Sequence, residues 1–345
     1  MNRSTLIFGT VCVTALVSLL GWNYVRDNKV PNFTRTAEIY VYPETSPRRV
    51  IDALGRKAGT KSRRSLERAF KSKKVAEYMK PGHYTVSPSN SSVYVARMLN
   101  NGWQTPVRLT LSGSLRRKDN IAAKIASQMM VDSATVRHAF SDTALLAEFG
   151  ATPATVYSLL MPDTYEIYWD ASVKDILNIQ KQAVDAFWTE DRLQKAAALG
   201  LSRDEVSTLA SIVNGETNNE AEMPRIAGVY LNRLKIGMPL QADPTIAFCF
   251  NYTLTRVLNT HLKVDSKYNT YRHKGLPPGP ICVPTRSSLD AVLNPDFGGE
   301  WGRGNLYFCA NPDFSGTHVF ARTLQEHNRN AARFRAELDR RSRAK

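Results

Sequence analysis

Cysteine and histidine are scarce in this chain and poorly spaced for metal binding: four cysteines and six histidines in 345 residues, with no CxxC pair and no Cys/His cluster. A zinc or iron–sulfur site therefore has no candidate ligand set. Cys12 lies in an apolar stretch, and Cys249, Cys282 and Cys309 lie in the last third, where at most one internal disulfide is open to them. Free, buried thiols are the simpler expectation, and no motif sets a base beside any of them. Also missing are a phosphate-binding glycine loop, an RNA- or DNA-binding module, internal repeats and low-complexity tracts. No metal and no cofactor are expected. Acidic residues are in deficit, 31 against 46 Lys and Arg, for a net charge of +15. That balance suits an anionic partner such as wall-polymer carboxylates, lipid headgroups or nucleic acid, and it equally suits a solvated basic face. Because the basic residues gather in Arg48–Lys80 and Arg329–Lys345 without a recognition motif, nucleic acid is not expected as a partner.

What is present is ordinary globular composition, 43% hydrophobic and 22% charged, over a length that holds two modest domains. The exception is Ser4–Val25, which carries no charge and is long enough to span a bilayer as a helix. The residues after it lack a small-x-small cleavage pattern, and Trp22 and Tyr24 suit an interfacial belt. The expectation is a retained transmembrane anchor at 5–25 behind a short tail at 1–4. Arg3 on one side faces Arg26 and Lys29 on the other, so charge leaves the orientation open. A polar linker is expected at 26–36.

From 37 to 111 the pattern reads strand (Ile39–Tyr42), two helices, strand (Gly82–Val86), helix and strand, a small βααβ module. Units of this kind occur as LysM carbohydrate-binding folds and equally as spacers. Helical patterns fill a connecting region at 112–200, with a turn and short strand at Met161–Tyr168. A mixed α/β catalytic domain is expected at 201–345, rich in long ordered loops between Leu240 and Pro312 and closed by a basic helix from Leu324. The fold class is thus α+β.

The stretch of most chemical interest is Leu209–Thr217. Ser202 and Glu205 form a capping box that fixes the phase of the helix following them. At 100° per residue, Val206, Leu209, Val213 and Glu216 share one face, which puts a carboxylate on the stripe that faces a core. Burial would raise its pKa and keep a proton available for general acid catalysis; a frayed helix end with a solvated glutamate is the competing reading. Gly215 removes a side chain where a ligand could approach.

Downstream follow Gln241-Ala-Asp243-Pro-Thr245, Tyr268-Asn-Thr-Tyr271 and Gly275-Leu-Pro-Pro-Gly-Pro-Ile281. With Leu160–Glu166 (LMPDTYE) and the LASIVxxET helix, these segments, in this order from about Ile39 to Phe334, resemble the YceG-like endolytic murein transglycosylase family. The resemblance implies a bacterial lyase anchored in the cytoplasmic membrane by a single pass, with its LysM-like and catalytic modules outside the cytoplasm. It would cut peptidoglycan between N-acetylmuramic acid and N-acetylglucosamine and leave 1,6-anhydro ends, with Glu216 as acid and then base. It also implies penicillin-binding glycan synthases as partners, the strand being cut soon after synthesis. Asn214 stands where members often carry Glu, and Val283-Pro-Thr285 replaces a common Asn-Pro-Gly.

Supporting roles at the site each have a plain alternative. Asp243 and Thr245 would position substrate or merely shape a turn; Gln241 and Asn269 would bind N-acetyl and hydroxyl groups or cap their own loops. Tyr268 and Tyr271 would stack on sugar rings or pack in the core, and Gly279 would belong to a rigid cleft wall or a connector. His318 and His327 are expected to be structural. A hydrolase would need a second carboxyl, with Asp243, Glu220 and Glu222 as candidates. A non-catalytic glycan-binding scaffold is the alternative outside enzymes.

Overall fold

The computed structural model describes residues 3–343, so part of the expected tail at 1–4 lies outside the described residues. The chain forms two compact units: one comprises residues up to 109 with 128–130 and 166–171, the other 110–127, 131–165 and 172 onward. The class is mixed α and β, with three two-stranded sheets, helices and long loops among the described residues.

The first unit opens with α1 (Arg3–Asn28). Thr10, Thr14, Ser18, Gly21 and Asn23 dilute its apolar residues. Among the described residues no helix is long and apolar enough to cross a membrane, so the expected spanning segment is a helix without that property. Several residues of the stretch expected as a polar linker at 26–36 are packed. Asp27 is buried and accepts two bonds from the Arg68 guanidinium (2.9 and 2.7 Å) and one from the Ser65 hydroxyl (2.6 Å). Phe33 is wholly buried, and Asn32 donates to Ser62 O and Ser92 Oγ.

Next come β1 (Ala37–Val41), α2 (Pro47–Ala58), α3 (Arg63–Ser72), α4 (Val75–Tyr78), β2 (Gly82–Val86) and α5 (Ser92–Asn101). The strands pair antiparallel, with Ile39 opposite Tyr84. Ser46, Ser62 and Ser91 cap their helices, each hydroxyl accepting a backbone N–H. The expected βααβ pattern is present with a third, one-turn helix, α4, inserted where Lys74 takes a left-handed backbone conformation. Leu54, Leu66, Tyr84, Val95 and Leu99 make its core. Val107–Leu111 follows as β3.

The second unit holds α6 (Lys118–Ala126), α7 (Ser133–Ala139), α8 (Thr143–Glu148), α9 (Val173–Phe187), α10 (Glu190–Ala198), α11 (Arg203–Glu216), α12 (Met223–Lys235), α13 (Asp243–Cys249), α14 (Arg286–Leu293) and α15 (Leu324–Arg343). β4 spans Asp163–Ile167, and β5 (Tyr307–Ala310) pairs antiparallel with β6 (His318–Ala321). Helices α11 and α12 form the centre and pack with α14; Val206, Leu209, Val213, Ile226, Tyr230 and Val292 are among its buried residues. Both sides of α11 are apolar enough to be covered, which accounts for the continuous burial from Val206 to Val213.

Loops are tied to this pair by single buried groups. The Asn232 amide donates to Phe297 O (3.1 Å) and Asn305 O (2.9 Å) and accepts from Gly302 N (2.7 Å). Ser211 accepts from Ile281 N at 2.9 Å and so docks the proline-rich loop on α11. Among the described residues all four cysteines are free; Cys282 is buried, and its thiol is pushed up to about 11, mainly by that burial.

Candidate active site

The capping box anticipated at Ser202 forms, its hydroxyl accepting from Glu205 N at 3.3 Å while the Glu205 carboxylate accepts from Ser202 N at 2.8 Å. It sets the phase of α11 so that Glu216, its last residue, falls beside α12. There the Tyr230 hydroxyl donates to Glu216 Oε1 at 2.5 Å. Tyr230 is fully buried and packs edge-on against Phe308 of β5, with ring centroids 5.9 Å apart. Glu216 keeps part of its surface, which opens into two connected depressions. One is a cleft of about 360 Å³ lined by Glu216, Arg233, Gln241, Asp243, Tyr271 and Tyr307. The other, of about 210 Å³, is lined by Arg116, Gly215, Pro244 and Tyr252.

Gly215 is what lets α13 come this close, since a Cβ there would lie 2.6 Å from Pro244 Cβ. The segment expected as a loop at Gln241–Thr245 turns into α13 at Asp243, because Pro244 is preset for a first helical turn. Asp243 is exposed in the cleft and accepts from the Tyr271 hydroxyl at 2.6 Å. Arg233 is buried beneath the floor and donates to Leu306 O and Leu240 O, both at 2.7 Å, joining the two walls of the cleft.

Burial raises the Glu216 pKa to about 7, and the charge of Asp243 adds to the rise. The Tyr230 hydrogen bond and the Arg233 charge act the other way, since both favour the ionised carboxylate. At neutral pH the carboxyl therefore sits near its midpoint, able both to give and to take a proton.

Of the residues expected at the site, Glu216, Gln241, Asp243 and Tyr271 meet in the cleft. The others do not line it. Thr245 is fully buried, donating to Ala242 O and bonding Thr270. Asn269 is fully buried too: its amide donates to Leu262 O and Val264 O and accepts from Tyr271 N, so it shapes the loop that carries Tyr271. Tyr268 packs on Phe248, centroids 4.5 Å apart. Gly279 passes close to Ala154, whose carbonyl oxygen would be 2.2 Å from a Cβ. Of the candidate second carboxyls, Glu222 is bound to His318 N (2.7 Å) and Nδ1 (3.2 Å), and Glu220 is exposed away from the cleft lining. His327 stacks on Tyr307 at the cleft wall. Tyr230, Tyr307 and Phe308 carry no signal in the sequence, whereas Arg233 belongs to the Asn232-Arg233 pair that stands in order between Glu216 and Gln241 among the segments of the resemblance.

A model of the YceG-like family matches residues 39–333. The chain belongs to that family. The endolytic murein transglycosylase of Bacillus subtilis (strain 168) is 33% identical over 216 residues, covering 61% of this chain and 57% of its own length. That of Streptococcus pneumoniae (strain D39) is 25% identical over 345 residues, covering 90% of this chain and 61% of its own. The chain thus spans about three fifths of the curated relatives it matches. The crystal structure of a putative YceG-like protein from Listeria monocytogenes superposes with a TM-score of 0.56 at 27% identity, over 86% of this chain and 99% of that one.

Within this YceG-like chain the two noted departures touch. Thr285 Oγ1 donates to Asn214 Oδ1 at 3.3 Å, and the Asn214 amide also reaches Cys282 Sγ at 3.7 Å. Thr285 caps α14 as well, accepting from Ser288 N.

Two measurements check the electrostatics. In a carboxyl NMR titration, Tyr230→Phe removes a donor to the ionised form, so the Glu216 midpoint is expected above about 7; an unchanged or lower midpoint would refute the assignment. The folded pKa, about 7, exceeds the ordinary 4.5, so the folded state binds more protons and loses stability as pH rises between these values. Glu216→Gln should therefore gain on the parent chain from pH 5 to pH 8, by roughly 2 kcal/mol in denaturant unfolding. A pH-independent difference would mean that Glu216 titrates normally.

Proposed function

We propose that the chain is an endolytic lytic transglycosylase that cuts peptidoglycan between N-acetylmuramic acid and N-acetylglucosamine. The observation that carries this reading is a single half-buried carboxyl, Glu216, with its pKa raised to about 7 beside an open cleft. Its family relatives named endolytic murein transglycosylases support the substrate class.

In the first step protonated Glu216 donates to the glycosidic oxygen, and the bond to muramic C1 breaks. The resulting carboxylate then removes the proton of the C6 hydroxyl on the same sugar, whose oxygen attacks C1 and closes the 1,6-anhydro ring. The proton is returned to Glu216 and no water is consumed. An attacking group tethered within the substrate replaces much of what a second catalytic carboxyl supplies in hydrolysis. Tyr230, fixed on Oε1, leaves Oε2 for the transferable proton. Gln241, Asp243 and Tyr271 offer polar contacts along the same cleft.

A hydrolase is the second reading, favoured by one observation: Asp243 is a second carboxylate in the cleft. Fragment analysis of digested peptidoglycan decides between them. Anhydro ends that disappear in Glu216→Gln are expected; reducing ends would indicate hydrolysis, and binding without fragments would indicate a glycan-binding scaffold.

On the same reading, the first unit is a LysM-like glycan-binding module, and α1 holds the chain at the cytoplasmic membrane near penicillin-binding glycan synthases, with the bulk outside the cytoplasm. Support for the membrane contact comes from the uncharged Ser4–Val25 run and the exposed Val11, Leu16, Val17, Leu20 and Trp22. Deleting residues 1–26 should move the protein from the membrane to the soluble fraction; retention in the membrane would place the contact elsewhere.

A further inference from the structure

A second groove, about 560 Å³, lies between β6 and α15, lined by Phe320, Ala321, Arg322, Glu326, Arg329 and Arg333, with Asn305 and Asn330 at its edges. It sets three guanidinium groups around one carboxylate, and that carboxylate is already engaged: Glu326 Oε2 accepts from Arg322 N at 3.0 Å and Thr323 N at 3.3 Å. The Arg322 guanidinium donates to Gly298 O. Among the described residues neither Arg329 nor Arg333 has an ion-pair partner, although other arginines of the helix do: Arg340 and Arg341 share Glu337. One turn apart on α15, Arg329 and Arg333 repel each other until an anion lies between them.

The groove shares its wall with the Glu216 cleft. Leu324 and His327 of α15 line the cleft, while Glu326, Arg329 and Arg333 line the groove; β5 borders the first and β6 the second. A helix is about 10 Å across. An extended peptide of about five residues reaches roughly 17 Å. A peptide branch on a polymer in the cleft can therefore cross α15 and set its carboxylates among the arginines.

We propose that this groove binds the carboxylates of the peptide stems carried by the glycan strand, through Arg322, Arg329 and Arg333. The site would favour strands that still carry their stems over bare glycan. This rests on the reading of peptidoglycan as substrate, but the binding can be tested apart from turnover.

The test uses the full chain and the pair Arg329→Gln/Arg333→Gln, which removes both charges and keeps good helix formers. Titration with a free muramoyl pentapeptide is expected to show binding that weakens about fivefold to tenfold in the variant and returns in Arg329→Lys/Arg333→Lys. With peptidoglycan strands, the parent should have a lower KM on stem-bearing glycan than on amidase-stripped glycan. The variant should lose that difference while turning over stripped glycan as the parent does. Equal peptide binding by parent and variant overturns the proposal, as does an equal loss on both glycans. Arginine-dependent binding to vesicles of anionic phospholipid, without any peptide binding, also overturns it and assigns the groove to a lipid surface. If no glycan is cut but the arginine-dependent peptide binding is seen, the catalytic reading fails and the groove stands.

Discussion

The arrangement around Glu216 depends on one hydrogen bond, from the Tyr230 hydroxyl to Oε1. A carboxyl drawn partly out of water at the end of an apolar helix stays there only if some polar group takes over from the solvent. Tyr230 does this from the neighbouring helix, and it can do so only while α11 and α12 keep their relative rotation. That rotation is fixed by the buried row from Val206 to Val213 against Ile226 and Tyr230, and by the capping box that starts α11. The same bond limits the effect of burial. Desolvation raises the carboxyl's pKa, and the tyrosine hydrogen bond partly offsets that rise.

The surrounding loops are held by buried groups, of which Arg233 also lines the cleft. Arg233 joins two of its walls through backbone carbonyls, Asn269 shapes the turn that presents Tyr271, and Ser211 docks the proline-rich loop. Each satisfies buried backbone groups that would otherwise disfavour long loops. Precision at the cleft thus comes from internal hydrogen bonding beneath it, and the polar residues that face the substrate space stay few.

The elements that were legible in the sequence are those with local signals. The Ser202–Glu205 capping box placed the start of α11, the basic helix from Leu324 is α15, and Glu216 followed from helical phase. What escaped had weaker signals. The one-turn α4 rests on tertiary contacts, α10 starts at a Thr189 cap inside a region read only as helical, and Tyr230 looks like any aromatic residue on an amphipathic helix. Asn269 and Thr245 have the right chemistry for a sugar, but burial assigns them to the backbone; sequence supplies the chemistry of a side chain and not its accessibility. The paired departures at Asn214 and Thr285 are similarly opaque until their contact is seen.

The packing of Asp27 has a mechanical side. A bidentate grip by Arg68, reinforced by Ser65, sits just before the end of α1, at the start of the stretch expected as a polar linker. These three bonds fasten the end of α1 to α3, so a displacement of α1 would have to break them or carry α3 with it.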